Sequence, residues 1–450
     1  MKIKANNCDM INVLVIQWMN KKDLAPLREY IKNKDTKIRL VNFDEVYSVK
    51  YDYQRRFLRY WSQLKRFNLK KLGIYFNFII NSYIKKNYSY SFDNVRKLAI
   101  MGLSFKDYNK IIKNNNIRAI MIYRDDPWLN NIILFSKRIG IKVIILNNEH
   151  VFGESETTIK VVKSLPCRGD LILVGGESGK KYWSHSIGIN KEKIKIVGVS
   201  RFDAYQSKGY MSRSEFCNIL GLDQKKKIVF FPSFINQYDL YVYGLTKSSL
   251  TMTYKPEDLD FCWPIKETIN VNMEKYKEDK MKLLFDIAKE NKNIQIIIKL
   301  HPDQQANEEH CVKHELMAMN RVLPNFVGIP GIPNRITAPD IIINSDVIVG
   351  HGSTMLLEAI IANKTILPTQ WDLPNNEFRL PIIERKTCED VTGKDMFKKK
   401  LFKILRDGED VKRFEKGRKE LIEYYFGKQD GQSCERIVKE IEKEFSNAKD

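Results

Sequence analysis

Hydrophobic residues in this chain of 450 residues fall into short runs, separated by longer segments in which apolar positions recur at helical spacing. The runs are rich in Ile and Val, which is typical of strands buried in a parallel sheet. They predict strands at residues 11–16, 38–41, 117–123, 142–146, 171–174, 194–197, 227–231, 294–300, 326–327, 347–349 and 365–367. Helices are predicted at residues 128–139, 177–186, 281–290 and 355–362 and across 395–446. This alternation indicates an α/β fold with doubly wound, mostly parallel sheets.

The length of the chain suffices for two domains of roughly 200 residues each. The pattern predicts a Rossmann-like N-terminal domain at residues 1–205, with a basic helical insertion near 51–115. A linker at 206–225 leads to a second Rossmann-like domain at 226–395. Charged helices at 396–450 are expected to pack back across the domains. With 43% hydrophobic residues, the chain can form sizeable cores.

The most informative stretch is residues 341–368, where His351, between two glycines, ends a strand and a helix follows at once. Ser353 and Thr354 open that helix, and Glu358 lies on its second turn. A glycine turn before a helix N-terminus offers free backbone N–H groups and the helix dipole to an anionic group. An ordinary βαβ crossover, with Ser353 as a plain N-cap, would have the same local pattern.

A second predicted strand end carries related groups, because Lys299 is followed by His301 and Pro302. In a parallel sheet this strand end and the one at His351 emerge on the same edge, and we expect the two to be adjacent. Together they supply a lysine, two histidines, hydroxyls and backbone N–H groups, which suit a phosphate or diphosphate. Glu358 could accept hydrogen bonds from ribose hydroxyls, as acidic residues do in other nucleotide sites. A lone His-Pro pair would more commonly be structural.

The first half of the chain supplies acids at its strand ends. Glu149 and His150 follow the strand at 142–146, and Asp203 lies near Arg201 after the strand at 194–197. Ligands of open α/β sheets bind outside the carboxyl ends of the strands, so these residues are candidates for chemistry. A carboxylate at such a position can act as a general base or as a nucleophile.

Several common chemistries lack their motifs in this sequence. Neither G-x-G-x-x-G nor G-x-x-x-x-G-K-[ST] occurs, which disfavours NAD and ATP chemistry of those kinds. No His/Cys/Asp cluster has metal-ligand spacing, so we expect no metal and no other cofactor. The pair Asp125-Asp126 precedes a predicted helix and is interpreted as its N-terminal cap. Seven scattered cysteines indicate reduced thiols in a cytoplasmic protein, and no apolar run approaches the ~20 residues of a membrane span.

The charge balance is unusual, with 76 Lys and Arg residues against 55 Asp and Glu residues and a formal net charge of +21. Such an excess favours polyanionic partners: nucleic acid, anionic lipid headgroups or phosphorylated substrates. Codon bias in an AT-rich genome would also inflate the lysine content. Residues 51–115 interleave cations with aromatic side chains, which fits nucleic-acid stacking, a membrane-facing surface, or a helical pair with its aromatics in the core.

The order of these motifs resembles a known family. Lys299-x-His-Pro, then Ser345-Asp346, Ser353-Thr354 and Glu358-Ala359, is similar to the C-terminal domain of GT-B-fold bacterial surface-polysaccharide glycosyltransferases. That group includes β-Kdo transferases, CMP-sugar transferases and CDP-glycerol glycerophosphotransferases. Residues 173–177 and 196–203 resemble its inter-domain stretch. The resemblance covers residues 115–370 and implies two Rossmann-like doubly wound domains that face each other across a cleft.

The resemblance also implies roles for the candidate residues. His301, Ser353 and Thr354 would hold the phosphate of a cytidine nucleotide, with Lys299 and Glu358 as helpers. The base would be Glu149, or Asp203 would be the nucleophile of a retaining mechanism. The expected catalytic residues are Glu149, Asp203 and His150. The expected donor-binding residues are Lys299, His301, Pro302, His351, Gly352, Ser353, Thr354, Glu358, Ser233 and Arg201.

We therefore hypothesise a metal-independent glycosyltransferase that moves a sugar from CMP-Kdo or another CMP-nonulosonate to a surface polysaccharide or lipid-linked glycan. It would be cytoplasmic and peripheral at the anionic inner membrane face, where each basic residue contributes about 1 kcal/mol. One alternative is a CDP-glycerol or CDP-ribitol phosphotransferase of the teichoic-acid or capsule type. A UDP-sugar transferase or UDP-GlcNAc 2-epimerase is a weaker option. From another class, a basic nucleic-acid-binding protein would explain the charge but would not need the matched strand ends.

Overall fold

A computed structural model describes residues 10–16, 21–46, 100, 103–123, 125, 129–147, 167–187, 189–206, 209–232, 273–299, 326–329, 336–351, 353–371 and 380–446. These residues form two compact units. The first unit contains the described residues up to Asp203 and those from Tyr425 onward, and the second contains those from Ala204 to Tyr424. Residues 51–99 of the predicted basic insertion lie outside the described residues.

Each unit is built around one parallel sheet. The first sheet contains β1 (Ile11–Val15), β2 (Ile38–Asn42), β3 (Ile117–Ile122), β4 (Lys142–Asn147), β5 (Leu171–Val174) and β6 (Ile194–Ile196). The second sheet contains β7 (Lys227–Pro232), β8 (Ile294–Lys299), β9 (Phe326–Ile329), β10 (Val347–Gly350) and β11 (Thr365–Pro368). Every predicted strand is confirmed to within a residue or two of its ends, as are the parallel sheets.

Helices connect and cover the strands. They are α1 (Lys21–Asn33), α2 (Phe43–Val46), α3 (Phe105–Asn114), α4 (Asn130–Arg138), α5 (Glu177–Ser184), α6 (Arg213–Leu220), α7 (Met273–Glu290), α8 (Ala338–Asn344), α9 (Thr354–Ile361), α10 (Lys394–Asp407), α11 (Glu415–Phe426) and α12 (Ser433–Ser446). Short 3-10 segments lie at Lys191–Lys193, Ser200–Gln206 and Val411–Phe414. The start of α8 is fixed by a capping box, in which the Thr337 hydroxyl accepts from the Asp340 N–H and the Asp340 carboxylate accepts from the Thr337 N–H.

Strand alternation gives the first unit two cores. Residues such as Leu14 and Ile120 point to the face covered by α3, α4 and α5. Their neighbours Val13 and Met121 point to the opposite face, where α1 and α12 pack. The last helix of the chain therefore belongs to the core of the first unit.

The strand order of each sheet contains a reversal. The first sheet runs β2-β1-β3-β4-β5-β6 and the second runs β11-β10-β7-β8-β9. In the second sheet the chain builds outward from β7 to β9, and then returns to place β10 on the other side of β7. Ligands of doubly wound sheets bind at such a switch point, outside the carboxyl ends of the strands. The fold thus directs attention to the ends of β7 and β10.

Candidate functional site

The carboxyl ends of the second sheet lie in one row. The strand register pairs Gly350 with Pro368, and Pro232 with Lys299. Gly350 also lies beside β7, since a Cβ atom on it would be 3.7 Å from Pro232 Cδ. Lys299 is only 8% exposed at this edge. Lys299, a predicted donor-binding residue, thus lies in the same row of strand ends as the switch point between β7 and β10.

The strand order corrects one expectation. β7 lies between β8 and β10, so the strand ends that carry Lys299 and His351 are not adjacent. At about 4.8 Å per strand, they are about 10 Å apart across the sheet. The cause is the reversal of strand order, which chain order does not reveal. The residues Ser233, His301, Pro302 and Gly352 lie outside the described residues, so their predicted roles stay predictions.

The N-terminus of α9 lies directly after β10. The Ser353 hydroxyl accepts a hydrogen bond from the Met355 N–H, with 3.3 Å between Oγ and N. Ser353 is therefore the N-cap of α9, and Thr354 is its first residue. The dipole of α9 and its first N–H groups favour an anion at this end. Capping and phosphate binding are compatible, because a serine hydroxyl both accepts and donates.

Glu358, on the second turn of α9, is held by a residue that the sequence analysis missed. Its side chain is buried, and its Oε2 atom accepts a hydrogen bond of 2.8 Å from the Tyr205 hydroxyl. Tyr205 lies only two residues after Asp203, just beyond the stretch 196–203 that the sequence analysis singled out. Because tyrosine most often serves as a core aromatic, its hydroxyl gave no signal of its own.

His351 occupies an apolar environment. His351 follows β10 directly, and Val347 and Val349 of β10 point into the core beneath α7 and α10. His351 packs beside Phe231 of that core, with 6.5 Å between ring centroids. Burial, and secondarily the positive charge of Lys280, lower the pKa of His351 from 6.5 to about 3. His351 is therefore a neutral imidazole at pH 7. Its predicted contact with a donor stays a prediction.

Lys280 of α7 is a second residue that the sequence analysis missed. It is 3% exposed, and its Nζ atom lies 3.7 Å from the centroid of the Trp371 ring, which follows β11. A cation over an indole face is stabilised by the ring quadrupole. A buried cation thus lies close to His351. Lysine in a basic helix is usually a surface residue, so no local pattern distinguished it.

The candidate acid Asp203 of the first unit has a structural partner. Its Oδ1 atom accepts from the Ser433 N–H at 3.2 Å, and its Oδ2 atom accepts from the Cys434 N–H at 3.0 Å. These are the first N–H groups of α12, which lack partners inside the helix. Asp203 thus caps α12, and its catalytic role stays a prediction. The Arg201 guanidinium lies 4.9 Å from the centroid of the adjacent Phe202 ring.

The other candidate acids of the first unit follow β4. Glu149 and His150 lie outside the described residues, just beyond Asn147 at the end of β4. The Asn147 carboxamide is buried and donates a hydrogen bond of 3.2 Å to the Tyr123 carbonyl, which fixes the end of β4 against that of β3. The central position of β4 in the sheet is consistent with a site at this edge, but the base itself stays a prediction.

The interpretation of Asp125 as a helix cap is wrong, and Asp126 lies outside the described residues. The N-cap of α4 is Leu129, which makes no side-chain capping bond. Asp125 instead accepts hydrogen bonds from the backbone N–H of Arg168 at 2.8 Å and from its Nε atom at 3.1 Å. Asp125 thus forms a long-range ion pair with a residue 43 positions later in the chain, in place of the expected local cap.

The described residues contain neither a metal-ligand cluster nor a membrane-spanning helix. In this part of the chain no group of three or more His, Cys, Asp and Glu side chains could hold a metal ion. Among the helices with described residues, none is both long and apolar enough to cross a bilayer.

Comparison with known proteins shows the fold. No protein-family model matches the chain, and no curated protein sequence does. The structure is similar to the UDP-GlcNAc 2-epimerase of Neisseria meningitidis bound to UDP-GlcNAc, with a TM-score of 0.53 and 12% identity over 96% of this chain and 100% of that chain. The UDP-GlcNAc 2-epimerase of Methanocaldococcus jannaschii gives a TM-score of 0.53 and 13% identity over 96% and 99%. The wall teichoic acid polymerase TagF, soaked with CDPG, gives 0.51 and 12% over 99% and 92%.

The predicted fold class is confirmed by these likenesses. The chain has the GT-B fold, with two Rossmann-like units of parallel strands and alternating helices. At identities of 12–13% the likeness shows the fold, and activity and substrate have to be argued from the site.

Proposed function

We propose that this chain is an enzyme that uses a nucleotide-activated donor in the synthesis of a surface glycan. The observation that carries the proposal is the row of strand ends at the switch point between β7 and β10, where α9 begins. Ser353 caps that helix, Glu358 is buried on its second turn, and Lys299 lies buried in the same row. This is a place where α/β sheets bind nucleotides.

Each group at this edge has a role in binding a nucleotide. The N-terminus of α9 would attract the phosphate through its dipole and free N–H groups. Lys299, which is largely buried, would neutralise phosphate charge. The carboxylate of Glu358 would accept from the ribose hydroxyls. His301, placed by sequence just beyond Lys299, would stabilise the charge that develops on the leaving phosphate.

For the reaction, we propose transfer of a sugar from a CMP-activated donor to a glycan or lipid-linked acceptor, without a metal. The acceptor oxygen would attack the anomeric carbon, and the bond to the CMP phosphate would break. The likeness to TagF soaked with CDPG supports a cytidine-linked donor and also favours the alternative of phosphopolyol transfer from CDP-glycerol or CDP-ribitol. In that alternative the acceptor would attack the outer phosphorus and the bond from this phosphorus to the bridging oxygen would break. CMP would leave, and the product would contain a new phosphodiester.

A second candidate is epimerisation of a UDP-sugar. The likeness to two UDP-GlcNAc 2-epimerases favours it. Such an enzyme would bind UDP more tightly than CDP and would need no acceptor. The identity of the preferred base therefore separates the two candidates before any product is examined.

Isothermal titration with CMP, CDP, UDP and ADP tests the proposal. We expect a cytidine nucleotide to bind at least about tenfold more tightly than UDP or ADP, a difference of 1.4 kcal/mol. Lys299→Met should weaken this binding, whereas Lys289→Met, at an exposed position on α7, should not. Preference for UDP would favour the epimerase.

The same titration addresses the nucleic-acid alternative. Polynucleotide binding with a steep salt dependence, together with no mononucleotide binding, would overturn the proposal. His301→Ala is informative here as well, since an enzyme should lose turnover with its fold intact. If a cytidine donor is preferred, phosphorus NMR of the acceptor product distinguishes sugar transfer from phosphopolyol transfer.

A further inference from the structure

We propose that Tyr205 is a positioning residue that holds the carboxylate of Glu358 ready for the two ribose hydroxyls of the nucleotide. The inference rests on the proposed function and assigns Tyr205 a role in recognising a ribonucleoside, as opposed to a nucleoside without those hydroxyls.

The contact joins two distant parts of the second unit. Tyr205 belongs to the 3-10 segment Ser200–Gln206, and Glu358 lies 153 residues later on α9. The Tyr205 hydroxyl donates to Glu358 Oε2 at 2.8 Å. Glu358 is 8% exposed, so few conformations are open to its side chain, and a hydrogen bond to one oxygen selects among them.

The chemistry of this pair suits a diol. The Tyr205 hydroxyl donates its hydrogen bond to the Glu358 carboxylate. An ionised carboxylate offers about four acceptor positions on its two oxygens. The bond from Tyr205 uses one position on Oε2, and the ribose hydroxyls would be bound at other positions of the same carboxylate. Fixing the long side chain in advance also removes an ordering cost from nucleotide binding.

Tyr205 is itself held in place by contacts of the residues that follow its 3-10 segment. The Tyr210 hydroxyl donates to the Ala204 carbonyl, and the rings of Tyr205 and Tyr210 lie 6.4 Å apart, centroid to centroid. The Met211 N–H then donates to Asp340 Oδ1 at 2.9 Å, which ties the segment to α8. The Tyr205 hydroxyl is thus presented to Glu358 from an anchored stretch of backbone.

Tyr205→Phe tests the inference, because it removes the hydroxyl and keeps the ring. The ligands are the nucleoside diphosphate that the wild type binds most tightly and its 2′,3′-dideoxy analogue, titrated calorimetrically. We expect Tyr205→Phe to weaken binding of the ribonucleotide about tenfold. The affinity for the dideoxy analogue should stay within about twofold of the wild-type value, because that ligand offers no hydroxyl to Glu358.

Tyr30→Phe is the control. It removes a tyrosine hydroxyl from α1 of the first unit, outside the contacts that hold Tyr205 and Glu358, so it should leave both affinities unchanged. An equal loss for both nucleotides in Tyr205→Phe would mean that Tyr205 only supports the fold, and the inference would be overturned. If Tyr205→Phe proved unstable in thermal denaturation, the ratio of the two affinities would still be measured at lower temperature. A ratio equal to that of the wild type would count against the inference.

Glu358→Gln separates this inference from the proposed function. If the wild type binds no mononucleotide, both fail together. If Glu358→Gln removes the preference for the ribonucleotide and Tyr205→Phe does not, only the role of Tyr205 fails. The inference is supported if both variants lose the preference and the double variant loses no more than Glu358→Gln alone.

Discussion

The carboxylate of Asp203 accepts a hydrogen bond from the backbone N–H of Cys434, with 3.0 Å between Oδ2 and N. Its other oxygen accepts from the preceding N–H group. An acid predicted from sequence to be catalytic is thus the N-terminal cap of a helix more than 200 residues away. A carboxylate at a helix N-terminus satisfies orphan N–H groups and interacts favourably with the dipole.

Replacing Asp203 should therefore affect stability first. We expect Asp203→Ala to lower the free energy of unfolding by about 1–2 kcal/mol, and Asp203→Asn to lower it less, since one acceptor oxygen remains. Urea denaturation measures both. A fully stable Asp203→Asn enzyme without turnover would instead identify Asp203 as the nucleophile.

Gly198 should resist substitution for two reasons. Its φ angle is +85°, which L side chains rarely adopt, and a Cβ atom would lie 2.5 Å from the Ser433 Oγ atom of α12. We expect Gly198→Ala to cost at least about 3 kcal/mol in unfolding free energy. Gly140→Ala is the control in the same unit, because its φ is +71° and nothing lies within 4 Å. If the two variants lost equal stability, the contact with α12 would be unimportant.

Acid should destabilise the second unit through His351. Burial, and then the charge of Lys280, lower the pKa of His351 to about 3, below the 6.5 of an ordinary histidine. Between pH 6.5 and about 3, the unfolded chain therefore binds a proton at this histidine and the folded chain does not. Stability from this group is complete above pH 6.5 and falls by about 1.4 kcal/mol per unit as the pH drops towards 3.

His351→Phe should remove that part of the pH dependence, because phenylalanine does not titrate. Urea denaturation at a series of pH values between about 7 and 4 would show a shallower loss of stability in the variant than in the wild type. Parallel curves for the two proteins would show that His351 is not buried as a neutral residue.

The ion pair between Arg168 and Asp125 should matter to the first unit. The Asp125 side chain is 2% exposed, so Arg168→Met would leave a buried carboxylate without its guanidinium. The expected loss is about 3–5 kcal/mol of unfolding free energy. The double variant Arg168→Met/Asp125→Leu should be more stable than Arg168→Met alone, since no charge remains buried. A double variant that is less stable would contradict this account.

The strands could be predicted from sequence because each is a run of consecutive apolar residues, which can be recognised without knowing any distant contact. The start of α9 was equally local, since Ser353 precedes the first helical residue. Contacts between residues that are distant in the chain could not be predicted in this way. The bond between Tyr205 and Glu358 spans 153 residues, and the insertion of β7 between β8 and β10 depends on strand order. Asp125 was assigned to a local cap because its partner, Arg168, is distant in the chain.

The last helix has a consequence for how the protein is made. α12 contributes Cys434, Ile437, Val438, Ile441 and Phe445 to the core that also contains Val13 and Met121. A growing chain on the ribosome therefore completes its first sheet early. The part of one apolar face that α12 covers stays exposed until synthesis reaches that helix. We expect a chain that ends at residue 432 to be cleaved by protease in its N-terminal half much faster than the full chain.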